Sequence, residues 1–560
     1  MKSGVTARRS TPLLLSVALA ALSIHPTLAA QAAGEQPPAQ LRPGVSPNRA
    51  DQAPAGVTGR PTGPVSTPPP VAAPPVAAPF VLRTVEISGS SLPAAQLSAA
   101  YAPFVGQTLD RAGLQRLLEA MRVAYQGSNI ALFSIAAPAQ SLQGGVLRLQ
   151  AVEGHVGTAV IRGRVDAKVK ARVTEYLKPL VAERPLSKAT LQRQVSLIRE
   201  IPGFDPQIAF ERADDPTALR LVVDGETHPF QFGVGINTRG TAFLGRNQAQ
   251  LDLIANGLAT GGDQGRLSYA QPVGRDDFRL LSLGYSTPLN NDGLSLSLNA
   301  GKLETQPRSI PLKGQSYNAG AQITWAAVRG FDRNLTLTGG LDGVNSDNAF
   351  LGYTFASERI RSLRLAAAYS LQKPKSVTSL AATLSAGVPS LGARTLTPQA
   401  SDLDFKKLNL RLLDNRQIAP GFVWRTNLAA QLSGNRLPGT EQMAAGGDEF
   451  GRGFETAIIS GDSGYAASGE LAWRPSKGLP PRLLGSEAYG FVDGARLHYQ
   501  ARYGLPDRDP HLASVGGGVR VRTGKRSVAQ IEAVRGLNNP VAYANREVWR
   551  LNFSLRSVVF

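Results

Sequence analysis

More than half of the chain, residues 229–560, consists of short stretches in which apolar and polar residues alternate. Alternation with a period of two predicts strands that have one apolar and one polar face. At roughly 20 residues per strand and connection, this region predicts about 16 strands. The clearest examples are residues 294–300 (LSLSLNA), 335–338 (LTLT), 408–412 (LNLRL) and 549–555 (WRLNFSL), and turn-forming clusters such as NNDG at 290–293 separate the strands.

The first 32 residues have the three parts of a secretory signal peptide. A basic segment with Lys2, Arg8 and Arg9 precedes an apolar segment over residues 13–22, and Ala30-Gln31-Ala32 supplies a cleavage site of the A-x-A type. After this segment no run of about 18 apolar residues occurs that could form a transmembrane helix. We therefore predict an exported protein, in which the proline-rich residues 33–79 form an extended linker.

Many short alternating strands are also compatible with a soluble β-sandwich. Export, the large number of strands and a last strand that ends at Phe560 favour a transmembrane barrel instead. In lipid, a sheet must close on itself because no water satisfies the hydrogen bonds of its edges. We predict a transmembrane antiparallel β-barrel of about 16 strands over residues 229–560.

Between the linker and the predicted barrel, the spacing of apolar residues becomes helical. Residues 108–125 predict an amphipathic helix with Asp110 as its N-cap, and Ser187 is the predicted N-cap of a second helix. Strand-like segments flank each helix in the same order. The region therefore predicts two tandem β-α-α-β-β domains, over residues 80–155 and 156–228.

Composition narrows the possible chemistry. The chain has no cysteine, which excludes disulfides and thiolate metal sites, and its five histidines lack the spacing of metal ligands. The formal net charge of +19 is spread singly along the sequence, without a block of basic residues. We therefore expect no cofactor, no metal and no nucleic-acid partner. Contact with lipopolysaccharide or anionic lipid head groups, or a cationic lumen, explains the dispersed charge equally well.

One short motif suggests an enzyme. Gly461-Asp462-Ser463-Gly464 matches the surroundings of the nucleophilic serine in trypsin-like proteases. Such an enzyme needs a histidine before this serine, and the exported candidates are His155 and His228. Neither has the expected neighbours, so we interpret the tetrapeptide as a turn and predict no enzymatic activity.

The combination of a signal peptide, two POTRA-like repeats and a barrel of about 16 strands resembles the transporters of two-partner secretion, the TpsB branch of the Omp85 superfamily. These include the haemolysin and filamentous-haemagglutinin secretion proteins. Pro138-Ala-Gln140, Val152-Glu-Gly154 and Tyr269-Ala-Gln-Pro272 are similar to sequence motifs of that family. The resemblance covers residues 80–560.

Its most specific part is a motif of extracellular loop 6, V/I-R-G-Y/F, followed by G-D-x-G and a strand with Glu-Leu. Gly451-Arg452-Gly453-Phe454 fits except at Gly451, where Val or Ile is expected, and Glu470-Leu471 completes the pattern. The resemblance implies that Arg452 pairs with an aspartate of an F-x-D-x-G motif on the barrel wall. Phe491 and Asp493 match that motif, although Ala495 replaces its glycine. Phe454 would pack beside the pair.

A second tetrapeptide, Val328-Arg329-Gly330-Phe331, matches the loop motif literally. The G-D-x-G and Glu-Leu motifs do not follow it, and the alternating stretch 335–338 begins shortly after it. We therefore predict that it lies at the end of a strand rather than in loop 6.

The resemblance implies an outer-membrane transporter of a Gram-negative bacterium, with POTRA domains in the periplasm. It would recognise an unfolded exported TpsA-like protein, an adhesin, cytolysin or similar, and move it through the barrel. The barrel-assembly machinery would insert it into the membrane. Two alternatives are an Omp85-type assembly factor for other outer-membrane proteins and a passive porin.

Overall fold

The computed structural model describes residues 79–558 apart from 143, 214, 216, 310, 397, 476–477, 503–505, 525 and 541–548. The predicted signal peptide, the predicted linker up to residue 78 and Phe560 lie outside the described residues. None of the described helices is long and apolar enough to cross a membrane. The described chain forms two small α/β domains followed by a closed β-barrel.

The first α/β domain combines two helices with five short strands. Its elements are β1 (Phe80–Val81), β2 (Thr84–Ser88), α1 (Ala94–Tyr101), β3 (Thr108–Leu109), α2 (Arg111–Gly127), β4 (Phe133–Ala136) and β5 (Val146–Glu153), with a short 3-10 helix at Ala102–Phe104. Three strands form a sheet in the order β2-β5-β4, in which β5 is parallel to β2 and antiparallel to β4. A separate ribbon pairs β1 with β3.

Helix α2 forms where the sequence predicts it, and a side chain caps its N-terminus. The Asp110 carboxylate accepts the backbone N–H of Gly113 at 2.7 Å, which satisfies one of the free donors of the first turn. Leu114, Leu117, Met121 and Tyr125 lie on one face of α2 and are buried in the core of the domain. Packing of this apolar stripe on the sheet holds the domain together.

The second α/β domain repeats the arrangement of a sheet with two helices against it. Its elements are β6 (His155–Arg162), α3 (Ala167–Ala182), α4 (Lys188–Arg199), β7 (Phe204–Arg212) and β8 (Ala218–Thr227), and the sheet order is β6-β8-β7. The Ser187 hydroxyl accepts the N–H of Thr190 at 3.1 Å and caps α4, as the sequence predicts. The second domain thus has the predicted β-α-α-β-β order, and the first has this order with the short strands β1 and β3 in addition.

The barrel has sixteen antiparallel strands in the described chain, as many as the sequence predicts. They are β9 (Phe230–Asn237), β10 (Gln248–Asn256), β11 (Gln264–Pro272), β12 (Phe278–Pro288), β13 (Leu294–Thr305), β14 (Leu312–Arg329), β15 (Arg333–Phe350), β16 (Tyr353–Lys373), β17 (Ser376–Gly387), β19 (Lys406–Ala419), β20 (Phe422–Leu432), β23 (Ser463–Trp473), β24 (Glu487–His498), β25 (His511–Thr523), β26 (Ser527–Gly536) and β27 (Trp549–Val558). Short additional elements are β18 (Arg394–Thr395), β21 (Met443–Ala445), β22 (Ile459–Gly461) and 3-10 helices at Gly439–Glu441 and Pro481–Leu483.

The two faces of the barrel wall differ in chemistry. On β23, Ser468 and Glu470 point inward and are buried, whereas Leu471 and Trp473 point outward and are exposed. The same alternation on β10 places Asp252 inside and Leu253 outside. An apolar exterior and a polar interior are what a barrel in lipid requires.

The barrel closes where the last strand meets the first. Strand β27 pairs with β9 from Ser554↔Asn237 to Val558↔Gly233. This seam is short, since β9 pairs with β10 over a longer register, from Phe230↔Ala255 to Asn237↔Gln248.

The second α/β domain contacts one end of the barrel through three strand-to-strand turns. Lys168 on α3 donates to the carbonyl of Leu258 at 2.7 Å, and Arg193 on α4 binds the Asp292 carboxylate at 2.6 Å. Arg329 at the end of β14 binds Glu200 at 2.9 Å. These contacts identify the end of the barrel that faces the α/β domains.

Candidate functional site

The longest connection at the opposite end of the barrel joins β20 to β23. It is the sixth connection on that side, and we call its residues 433–462 loop 6. The strands β21 and β22 form a small hairpin within it. Beyond this hairpin the tip lies inside the barrel, where Phe450 is buried against Leu512 of the wall. Loop 6 therefore folds back into the lumen.

The tip of loop 6 is a tight turn made by the predicted motif. The N–H of Phe454 donates to the carbonyl of Gly451 at 2.9 Å, so residues 451–454 form a β-turn. Gly451 has a φ of +82°, and a Cβ on it would lie 2.5 Å from Leu512 Cδ1. A Val or Ile at this position would be strained, which explains the departure of Gly451 from the resembled motif.

Arg452 is largely buried and lies among three carboxylates of the barrel wall. Its Nη1 lies 3.0 Å from Glu470 and 3.3 Å from Glu532, and its Nε lies 3.5 Å from Asp493. The guanidinium also stacks 3.9 Å from the ring centroid of Phe491. The structure thus brings Arg452, Phe491 and Asp493 together, and it adds two glutamates to them.

Asp493 binds mainly the backbone of the tip. Its carboxylate accepts the N–H of Gly451 at 2.9 Å and the N–H of Arg452 at 3.4 Å, and it also accepts the hydroxyl of Ser514. The N–H of Gly453 in turn donates to the Ser514 hydroxyl at 3.3 Å. Asp493 and Ser514 therefore fix the path of the turn, while the glutamates take the nearer contacts of the guanidinium.

The remaining predicted residues pack around this turn. A Cβ on Gly453 would lie 2.8 Å from the backbone nitrogen of Gly536, so the tip approaches the wall closely there. Phe454 covers the same Gly536, whose absent side chain leaves room for the ring. Ala495, which replaces the expected glycine, is buried in the apolar cluster that contains Phe450 and Leu512.

Further arginines neutralise the carboxylates around Arg452. Arg520 binds Glu470 at 2.6 Å and Glu487 at 2.8 Å, and Arg425 binds the same two glutamates at 2.6 and 2.7 Å. Charges buried away from bulk water persist only when they are paired in this way. Arg452 is therefore one member of a network that spans several strands.

A second arginine connects loop 6 to the first connection of the barrel, residues 238–247. Arg239 lies 2.6 Å from Asp448 of loop 6 and 3.0 Å from Glu532 of β26. The amide of Asn552 on β27 donates to the carbonyl of Arg452 at 3.3 Å. The loop tip thus contacts both sides of the barrel seam.

The Gly461–Gly464 motif closes the base of loop 6. Asp462 is fully buried, pairs with Arg502, and accepts the N–H groups of Leu437 and Gln500 at 2.8 Å each. Ser463 begins β23 and pairs in register with His498, whose Nδ1 lies 2.8 Å from Asp509. Within the described residues no hydrogen bond joins the Ser463 hydroxyl to this imidazole. The motif is thus the junction of two strands rather than the turn that the sequence predicts: Gly461 ends β22, Ser463 and Gly464 begin β23, and the buried Asp462 between them holds the junction.

The literal match at residues 328–331 lies at the other end of the barrel. Arg329 is the last residue of β14, and Arg199 of the second α/β domain lies 6.0 Å from the ring centroid of Phe331. The tetrapeptide is thus at a strand end, as its context predicts, and it contributes to the junction with that domain.

Sequence reasoning does not identify three of the charged partners. Glu470 belongs to the Glu-Leu pair, to which the motif assigns no role, and Arg239 and Glu532 come from distant parts of the chain. For Glu532 the available signal is its position in the strand. It is an acidic residue on the inward face of an otherwise alternating strand, where it is fully buried.

Comparison with known proteins agrees with this architecture. Residues 216–521 match the family haemolysin secretion/activation protein ShlB/FhaC/HecB, and residues 80–154 match the ShlB-type POTRA domain. The chain is 24% identical over 449 residues to the outer membrane transporter CdiB of Escherichia coli, which covers 78% of this chain and 75% of that protein. It is 26% identical over 408 residues to CdiB of Dickeya dadantii (strain 3937), which covers 70% of each.

Solved structures have the same fold. CdiB from Escherichia coli superposes with a TM-score of 0.69 at 19% identity, and the match covers 99% of this chain and 100% of that chain. CdiB from Acinetobacter baumannii gives a TM-score of 0.61 at 14% identity, with coverage of 99% and 100%. The family match spans more than half of the sequence. The chain therefore belongs to the ShlB/FhaC/HecB family of two-partner secretion transporters in the Omp85 superfamily, with its barrel in the outer membrane and its POTRA-like domains in the periplasm.

Proposed function

We propose that this chain recognises an unfolded, exported TpsA-like protein with its POTRA-like domains and moves it through the barrel to the cell surface. In this proposal, residues 80–155 and 156–228 form the two POTRA-like domains, and residues 229–560 form the barrel. The observation that carries the proposal is loop 6, which lies inside the lumen, where the paired and largely buried Arg452 holds it. A loop held by charges can leave the lumen, because water hydrates those charges once they separate.

Recognition would use the free edges of the periplasmic sheets. In the described residues, β2 and β4 are the edge strands of the first sheet, and β6 and β7 are those of the second. An extended chain can add to such an edge through main-chain hydrogen bonds, which tolerate many sequences. This mode suits a large unfolded partner whose sequence changes along its length.

Transport would then require movement of loop 6. Arg452 holds the tip through Glu470 and Glu532, Asp493 fixes its backbone, and Phe454 packs on Gly536. We infer that the arriving chain replaces the loop in the polar lumen. Folding of the partner outside the cell would favour outward movement of the partner chain, so that transport would need no nucleotide hydrolysis.

The outward face of the barrel is suited to contact with outer-membrane lipid and with lipopolysaccharide. Its exposed leucines and aromatic residues suit the acyl chains of outer-membrane lipid and lipopolysaccharide. A barrel of this kind would be inserted by the barrel-assembly machinery.

The test is expression of this chain together with a candidate TpsA-like protein. We expect the partner to appear at the cell surface only when this chain is present, while other outer-membrane proteins keep their levels. Loss of many outer-membrane proteins on depletion of the chain would instead indicate an assembly factor. Steady open conductance in planar bilayers without any secreted partner would indicate a porin.

A further inference from the structure

A second buried ion cluster holds loop 6 at a different place. Glu441 belongs to the short 3-10 helix in the loop and is 1% exposed. Its carboxylate lies 2.8 Å from Arg364 on β16 and 2.9 Å from Lys407 on β19. Lys407 also donates to the backbone carbonyl of Glu441 at 3.0 Å. Both partners belong to the barrel wall and are themselves buried.

The wall side of this cluster is built to present a cation. Arg364 binds Asp342 on β15 at 2.5 Å and donates to the Ser385 hydroxyl on β17 at 2.8 Å, so wall residues hold its guanidinium independently of the loop. The remaining Nη2 contact goes to Glu441. Arg364 thus connects three wall strands to the loop.

In this cluster the loop and the wall carry the opposite charges from those they carry around Arg452. At the tip the loop supplies the cation Arg452, and β23, β24 and β26 supply the carboxylates. At Glu441 the loop supplies the anion, and β16 and β19 supply the cations. Loop 6 therefore contacts two separate arcs of the wall, with a cation of the loop at one and an anion of the loop at the other. Asp448, which pairs with Arg239, and Glu449, which lies 2.6 Å from Arg411 on β19, are further charged contacts of the loop.

We propose that Glu441, Arg364 and Lys407 form a second latch, and that loop 6 leaves the lumen only when this latch and the Arg452 contacts both open. Buried ion pairs add little net stability compared with apolar packing, but they separate into a wet lumen without exposing apolar surface. Glu441 is thus a positioning residue for transport. This inference rests on the proposed function only in treating loop 6 as a movable element.

The absence of cysteine from the chain permits a direct test with one introduced thiol. Ala457 is 1% exposed and lies in loop 6 well after Glu441, so Ala457→Cys reports exposure of the loop. The full-length chain carrying this reporter is placed in liposomes, and the rate of labelling by a membrane-impermeant maleimide is measured. We expect Glu441→Gln to raise this rate at least about tenfold, both alone and combined with Arg452→Ala.

The matched control is Asp347→Asn. Asp347 on β15 pairs with Arg359 at 2.8 Å and accepts the hydroxyl of Ser357 at 2.6 Å, so these contacts join β15 to β16 within the wall. This variant should label at the unaltered rate. Lys407→Gln, which removes the other cation, should accelerate labelling like Glu441→Gln, and it serves if Glu441→Gln does not insert.

A labelling rate within about twofold of the parent for every inserted latch variant would overturn the second latch. Because no secreted partner is present, this result is separate from the outcome of the transport experiment. A chain that fails to secrete a partner can still show the latch, and a secreting chain can lack it.

Discussion

Asp493 accepts the backbone N–H of Gly451 at 2.9 Å, while the nearest guanidinium nitrogen of Arg452 with which it pairs is 3.5 Å away. The aspartate therefore acts first on the backbone of the turn and only second on the arginine side chain. Glu470 and Glu532 carry the shorter contacts of the guanidinium. Because Asp493 mainly binds the backbone and the glutamates bind the guanidinium, we expect substitutions of these residues to have different effects on loop 6.

The effect of substituting Asp493 on the docking of loop 6 should depend on whether the new side chain still offers a hydrogen-bond acceptor. The amide introduced by Asp493→Asn would keep one carbonyl oxygen for the Gly451 N–H, whereas Asp493→Ala leaves that buried donor unpaired at a cost of roughly 1–3 kcal/mol. We expect Asp493→Ala to release loop 6 more than Asp493→Asn does. Protease cleavage of loop 6 from outside the cell measures the release, with the exposed Asp509→Asn as control. Equal release by both variants would argue against a backbone role.

Gly451→Val restores a residue of the resembled motif, yet it should weaken docking of the tip. The φ of +82° disfavours any β-branched residue, and the new Cβ would meet Leu512. We expect a cost of about 1–2 kcal/mol in loop docking. Leu512→Ala should recover part of it, because it removes the clash but not the backbone strain.

Gly434→Val is the matched control for this substitution. It lies in the same loop, and a Cβ there meets nothing within 4 Å. Protease access to loop 6 should be unchanged in Gly434→Val. Normal protection of loop 6 in Gly451→Val would show that the turn tolerates a side chain.

Arg193 should couple the second POTRA-like domain to the barrel. It binds the Asp292 carboxylate at 2.6 Å and the Asp292 carbonyl at 2.9 Å, and its side chain is largely buried. Arg193→Ala should therefore loosen the junction by roughly 1–3 kcal/mol. Hydrogen exchange of residues 290–293 in the full chain should accelerate, whereas Arg162→Ala, which breaks a pair within the same domain, should leave it unchanged.

The first POTRA-like domain contains a tyrosine with an unusual titration. Burial raises the pKa of Tyr125 from 10.0 to about 12, and its hydroxyl contacts Ser90 and Glu153. Because the folded-state pKa is the higher one, the stability it contributes is present below about pH 10 and is lost between about pH 10 and 12. Absorbance titration of the full chain minus that of Tyr125→Phe should yield a tyrosine that ionises near about pH 12. Ionisation at the ordinary tyrosine pKa would contradict this.

Local signals predicted much of the fold. Asp110 and Ser187 are N-caps in the sequence and in the structure, because capping depends on residues within one turn. The strand count followed from alternation and length. The order of the motifs predicts loop 6 around residues 451–454, whereas the better literal match, Val328–Phe331, lies at the opposite end of the barrel.

The charge partners of Arg452 could not be derived in the same way. Glu470, Glu532 and Arg239 lie far apart in the sequence, and closure of the barrel brings them together. Only the register of the strands decides which inward side chains face one point of the lumen. The second cluster at Glu441 is not predictable for the same reason, because its cations come from β16 and β19.

The most direct test of the central claim is secretion by Arg452 variants of the full chain. The claim is that Arg452 positions loop 6 for transport with several parts of its planar guanidinium: Nη1 contacts Glu470 and Glu532, Nη2 donates to Ser468, and the plane stacks on Phe491. Lysine cannot reproduce that geometry, so Arg452→Lys and Arg452→Ala should both insert normally and reduce surface delivery of the partner at least about tenfold, a loss of roughly 1.4 kcal/mol or more. Arg496→Ala, which changes an exposed arginine on β24, should secrete normally. Full secretion by Arg452→Ala at normal barrel levels would contradict the account.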